Sequence, residues 1–89
     1  MNLEQVLFEN GYEGMIYFTS PDYDEAFIGV SEDNRAVYDY DLMIESLMKV
    51  QNWSYEEAVE WIEYNTIRAL PYAGNDGPIV IHRLENLID

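Results

Sequence analysis

The sequence predicts an α+β fold: an N-terminal helix and a central helical hairpin packed on one face of a small antiparallel sheet of three or four strands. Three observations carry that expectation. Ser54 to Tyr72, SYEEAVEWIEYNTIRALPY, has the start, period and stop of a helix. Residues 26–31 and 35–38 are short runs of strand formers separated by the turn residues Glu32-Asp33-Asn34. Asn52-Trp53, between two helical patterns, is too short a link for anything but an antiparallel pair.

In chain order, Asn2 to Asn10 reads as a short helix. Asn2 and Gln5 stand at capping-box spacing, Leu3, Val6 and Leu7 share a face, and Gly11 supplies a left-handed stop. So short a helix is marginal alone and must dock. Met15-Ile16-Tyr17-Phe18-Thr19 is predicted as the first strand, ended by the turn signal Ser20-Pro21. Asp22-Tyr23-Asp24-Glu25 is an acidic loop. Ala26 to Ser31 sets Ala26, Ile28 and Val30 against Phe27 and Gly29, the period of a strand with one favoured face. Arg35-Ala36-Val37-Tyr38 returns as its partner, completing an expected meander.

Asp41 is the expected cap of a helix from Leu42 to about Gln51, with Met43, Ile44, Leu47, Met48 and Val50 on a wide apolar face. In the central helix Ser54 and Glu57 form a capping box, stapled by Trp53 on Ala58. Its apolar row runs Tyr55, Ala58, Val59, Ile62, Thr66, Ala69, and Pro71 sets its limit. Residues 73–78 are a loop of turn formers, Pro78 to His82 a strand that joins the sheet, and Glu85 to Asp89 a tail.

The 89 residues suit one domain, residues 1–89, and 48% hydrophobic content can furnish its core. The formal charge is −14, eighteen acids against Arg35, Lys49, Arg68 and Arg83. Such a field repels nucleic acid and anionic membranes, so direct contact with either is not expected and a basic protein surface is. Eight Tyr, three Phe and two Trp separate the chain from acidic disordered sequences. The absence of cysteine fits a reducing cytoplasm. The start Met1-Asn2-Leu3-Glu4 does not read as a signal peptide, and the run Ile79-Val80-Ile81 is far too short to span a membrane.

Catalytic readings are weak. The lone imidazole, His82, has no nucleophile motif beside it, and carboxylates are so frequent that any pair spacing arises by chance. Asp22-x-Asp24-Glu25 and Tyr38-Asp39-Tyr40-Asp41 offer oxygen ligands but do not match the twelve-residue calcium loop. They read as solvated loop and helix cap, with room for weak calcium binding. Gly74-Asn75-Asp76-Gly77 is a turn, because a phosphate loop would lack this Asp and continue into a helix. No catalytic residue, cofactor or metal is expected, and the chain reads as a non-enzyme.

The acidic faces are the candidate site. Glu56, Glu60 and Glu63 follow one another at four and three residues, so like charges meet at the spacing where opposite ones stabilise a helix. One helical turn rises about 5.4 Å, close to the separation of phosphates along a strand, so such a row can present phosphate-like charge to a basic groove. Asp22, Asp24, Glu25, Glu32, Asp33, Asp39 and Asp41 add loop and turn charges, and Tyr23, Tyr38, Tyr40 and Tyr64 can stack on arginine planes. The partner-binding residues expected are Glu56, Glu60, Glu63, Tyr64, Asp22, Asp24, Glu25, Asp39 and Asp41. The plainer reading is a solvated surface that keeps the chain soluble.

Tyr38-Asp39-Tyr40-Asp41, the helix Leu42 to Lys49, and SYEEAVEWIEYNTIRALPY through to Pro78-Ile79-Val80-Ile81 together resemble a group of small, uncharacterised acidic proteins of bacteria and their phages. That resemblance implies no catalytic residue or cofactor. In charge and size alone the chain is similar to phage inhibitors that mimic DNA, of the antirestriction and anti-CRISPR type, which have many unrelated folds. The expected function is therefore inhibition by occupying the basic surface of a nucleic-acid-binding partner such as a defence nuclease. The alternative is a regulatory or structural interaction module whose contact is apolar, through Trp61, Tyr64 or Tyr72.

Overall fold

The computed structural model describes residues 2–84, so the expected tail at Glu85 to Asp89 lies outside the described residues. Helix α1 spans Leu3–Glu9, with the Asn2 side chain accepting from the Gln5 amide at 3.1 Å. Past its end Gly11 takes φ 86°, which lets the Tyr12 amide reach back to the Leu7 carbonyl at 2.8 Å and the Gly11 amide to Phe8 at 3.2 Å. This pair of bonds is the Schellman stop, which needs the left-handed residue that glycine supplies. Leu3 and Leu7 are buried, so the marginal helix is held by docking.

The sheet is mixed, with order β1-β2-β3. Strands β1 (Phe27–Val30) and β2 (Ala36–Asp39) pair antiparallel, and β3 (Ile79–Ile81) pairs with β2 in parallel. The expected all-antiparallel sheet is thus corrected. A parallel partner requires a long crossover, and here it runs through α2 (Tyr40–Gln51) and α3 (Tyr55–Trp61). Around the hairpin turn the Ser31 amide bonds to Arg35 at 2.8 Å and Asn34 takes φ 62°, as its short side chain tolerates. Arg35 also donates to the Gly77 carbonyl at 2.8 Å, fastening the loop before β3 to the start of β2. At Gly77 a β-carbon would come within 2.6 Å of Ala73 Cβ, so only glycine fits that approach.

Two strand expectations change. Met15 to Thr19 is irregular and forms no strand. Its Phe18 amide donates to the Tyr38 hydroxyl at 3.1 Å, and the Phe18 ring meets Tyr38 at 4.6 Å and Tyr23 edge-on at 5.3 Å. The segment covers a sheet side chain and leaves the sheet's edge alone, which is how strand-forming residues end up outside a sheet. In β1 a bulge between Phe27 and Gly29 breaks the two-residue period. Ala26, expected in the strand, instead closes a 3₁₀ turn over Asp24–Ala26 and is buried, while Ile28 is exposed and Phe27 turns its ring to Tyr38 at 5.8 Å.

The helical hairpin is present, with Asn52 as the left-handed cap of α2. Met43, Ile44 and Leu47 are buried, whereas Val50, expected on the apolar face, is 72% exposed near the helix end. The cap of α2 is Asp39, not Asp41: its Oδ1 accepts from the Leu42 amide at 3.0 Å, so the helix starts at Tyr40. In α3 the Ser54–Glu57 capping box is complete, at 2.9 and 3.2 Å. The single long helix expected to Tyr72 is instead three segments: α3, a π-helical stretch over Ile62–Ile67, and a 3₁₀ turn over Leu70–Ala73 containing Pro71. Within them Ala58, Ile62 and Thr66 are buried as expected, but Tyr55 and Ala69 are exposed. The wider π turn seats Thr66 Oγ1 at 2.7 Å from the buried Tyr23 hydroxyl, so a polar group on the apolar row is satisfied. One core joins Ala58, Ile62 and the buried α2 side chains with Tyr23, Ala26, Ala36, Tyr38 and the α1 leucines.

Candidate functional site

Because the capping box fixes where α3 begins, it also fixes which carboxylates point outward. Glu56 and Glu60 are exposed one α-helical turn apart. Glu63 is exposed too, but it lies in the π stretch and is tied down, its Oε2 accepting from the Tyr40 hydroxyl at 2.5 Å. Burial, reinforced by the Glu63 carboxylate, pushes the Tyr40 phenol up. The row keeps three outward charges, with the third anchored to the start of α2.

The other expected residues divide by burial. Asp22, Glu25 and Asp41 are exposed. Asp22 accepts from the Asp24 amide at 3.0 Å, and Glu25 lies 3.9 Å from Lys49 Nζ. Asp24 is half-buried and accepts from the Leu3 amide at 3.3 Å, serving as a second acceptor for the first turn of α1; burial pushes its carboxyl up. Asp39 is corrected outright. It is 1% exposed, caps α2 with one oxygen and pairs with Arg83 through the other, so it cannot face a partner.

The aromatic expectation is corrected in the same way. Tyr23, Tyr38 and Tyr40 are core residues, leaving only Tyr64, 64% exposed, to meet an arginine. Their burial has a physical logic, since each hydroxyl has a partner: Thr66 for Tyr23, the Phe18 amide for Tyr38 and, at the surface, the exposed Glu63 carboxylate for Tyr40.

Sequence reading missed a groove. Trp53, Glu57, Glu60, Trp61, Tyr64 and Asn65 line a concavity of ≈ 390 Å³ on the outer side of α3. The two indoles lie 6.2 Å apart, inclined at 42°. Glu57, Glu60, Trp61 and Tyr64 stand at positions i, i+3, i+4 and i+7, so the face was readable as a helical stripe. Trp61 also borders a larger cleft of ≈ 480 Å³ between residues 16–21 and the π and 3₁₀ turns.

Electrostatically the surface is nearly uncompensated. Among the described residues Lys49, Arg35 and Arg83 lie within 4 Å of Glu25, Asp33 and Asp39, while Arg68 sits 6.0 Å above the Tyr64 ring. Glu56, Glu60 and Asp41 have no such cation. No three of the described His, Asp and Glu residues gather as a metal would need, and no described helix is long and apolar enough to cross a membrane. No protein-family model, curated protein or solved structure matches the chain.

Proposed function

We propose that this chain is a non-enzymatic, cytoplasmic binding protein that occupies the basic, nucleic-acid-binding surface of a partner such as a phage-defence nuclease, in the manner of a DNA mimic. The observation that carries the reading is the outward row Glu56, Glu60 and Glu63, unmatched by cations among the described residues and in part held in place by Tyr40. A net charge of −14 opposes the compact state, and a basic partner is the surface that would relieve it. Tyr64, Asp22, Asp24, Glu25 and Asp41 remain in the proposed contact; the buried Asp39 leaves it.

The test is displacement of labelled duplex DNA from restriction and CRISPR nucleases at about 150 mM salt. Wild-type protein displaces the DNA, and the Glu56→Gln, Glu60→Gln, Glu63→Gln triple variant, which keeps helix propensity, does so more weakly and with a shallower salt dependence. Equal displacement by both proteins at two ionic strengths would remove the row from the contact. The apolar alternative has its own support in Tyr72, 90% exposed, and Tyr64. It requires that truncating these residues speed dissociation at an unchanged salt slope.

A further inference from the structure

The groove on α3 has a more specific chemistry than the acidic surface around it. Its wall is aromatic, from Trp53, Trp61 and Tyr64, and its border carries the carboxylates of Glu57 and Glu60. Glu57 is held by the Ser54 amide at 2.9 Å, which keeps its carboxyl below the usual range and its charge in place. Anions are repelled by these two groups, and a neutral apolar ligand would make no use of their charge. What suits both wall and border is a cation that can lie flat against rings. A guanidinium is planar, weakly hydrated and able to stack while donating to carboxylates, whereas an ammonium is compact and strongly hydrated. The Tyr64 ring already has one guanidinium above it, that of Arg68. Arg68 also subtracts one charge from the groove, leaving the two carboxylates in excess.

We propose that this groove receives an arginine side chain of the partner, in preference to a lysine. The proposal rests on the reading that the partner surface is basic, and adds which cation the protein selects and where.

Trp53 and Trp61, the only tryptophans, both line the groove, so a change in intrinsic fluorescence that Tyr64→Ala diminishes reports on the groove. The probes are octa-arginine and octa-lysine peptides of equal charge, titrated at about 50 mM and about 200 mM salt. Octa-arginine is expected to bind about tenfold more tightly than octa-lysine and to change the tryptophan emission. Tyr64→Ala, at an exposed position, should cut the arginine affinity about threefold and narrow the preference. Arg68→Gln should raise the affinity for both peptides. If the two peptides bind alike, or if Tyr64→Ala keeps the full preference, the groove is not an arginine site, although the basic-partner reading stands. If neither peptide binds at the lower salt, the basic-partner reading fails and the groove proposal with it.

Discussion

Two regions of this molecule are written in nearly the same letters and have opposite fates. Residues 22–25 and 38–41 alternate Tyr with Asp and Glu, and so, at helical spacing, does the stretch from Tyr55 to Tyr64. In the first region the aromatics turn inward: Tyr23 and Tyr38 are at most 1% exposed, and Asp39 goes in with them. In the second, Glu56, Glu60 and Tyr64 stay in solvent while Ala58 and Ile62 form the inner face. The difference teaches that an acid beside an aromatic says nothing of exposure by itself. What decides is whether the hydroxyl and carboxylate can find partners inside, as Tyr23 does in Thr66 and Asp39 in the Leu42 amide.

The contrast should be largest in the core. Tyr38→Ala is expected to cost about 3 to 5 kcal/mol and Ile62→Ala about 2 to 5, through cavity formation. Tyr64→Ala should stay within about 0.5 kcal/mol. Urea melts of the three variants measure this, and a Tyr64→Ala loss equal to that of Tyr38→Ala would break the inward–outward division.

Next come two aspartates two residues apart. Asp39→Ala should cost about 2 kcal/mol, because it removes the α2 cap and the partner of Arg83 together; the exposure of Arg83 keeps the second contribution small. Asp41→Ala, in the first turn and exposed, should cost about 0.3 to 1 kcal/mol through the helix dipole. Should the two variants melt at the same urea concentration, Asp39 is not the cap.

A pH dependence sharpens the same contrast. Burial above all, together with the Asp24 and Asp22 carboxylates, raises the Tyr38 hydroxyl from 10.0 to about 12, against the opposing hydrogen bond from Phe18. The unfolded chain therefore gives up this proton first. Its contribution to stability is fully present below pH 10 and is lost as pH rises toward 12. Tyr38→Phe should flatten that alkaline loss, at a cost near neutrality of about 1 kcal/mol for the Phe18 amide left without its acceptor. Parallel alkaline slopes for wild type and Tyr38→Phe would place the effect elsewhere, in Tyr23 and Tyr40, whose phenols burial also pushes up, or in the general repulsion of the acidic surface.

Local chemistry by itself determined much of this protein. The Asn2 and Ser54 caps, the Gly11 stop, the Glu32-Asp33-Asn34 turn, the α2–α3 hairpin and the outward Glu56–Glu60 row all depend on residues within a turn of one another, and each stands where its sequence pattern puts it. Only tertiary structure decided the rest. Whether Met15 to Thr19 became a strand depended on Phe18 finding the Tyr38 ring; whether the sheet was antiparallel depended on Ile79–Ile81 meeting β2 after a crossover. The π turn, the burial of Tyr38 and Asp39, and the tether from Tyr40 to Glu63 are likewise agreements between residues more than twenty positions apart or between whole elements. Caps and turns are short-range bonds that composition and spacing reveal. A buried hydroxyl such as that of Tyr23 is stable because a distant segment brings its partner, and even Asp39, capped locally by the Leu42 amide, needs Arg83 for its second oxygen, which no local pattern reveals.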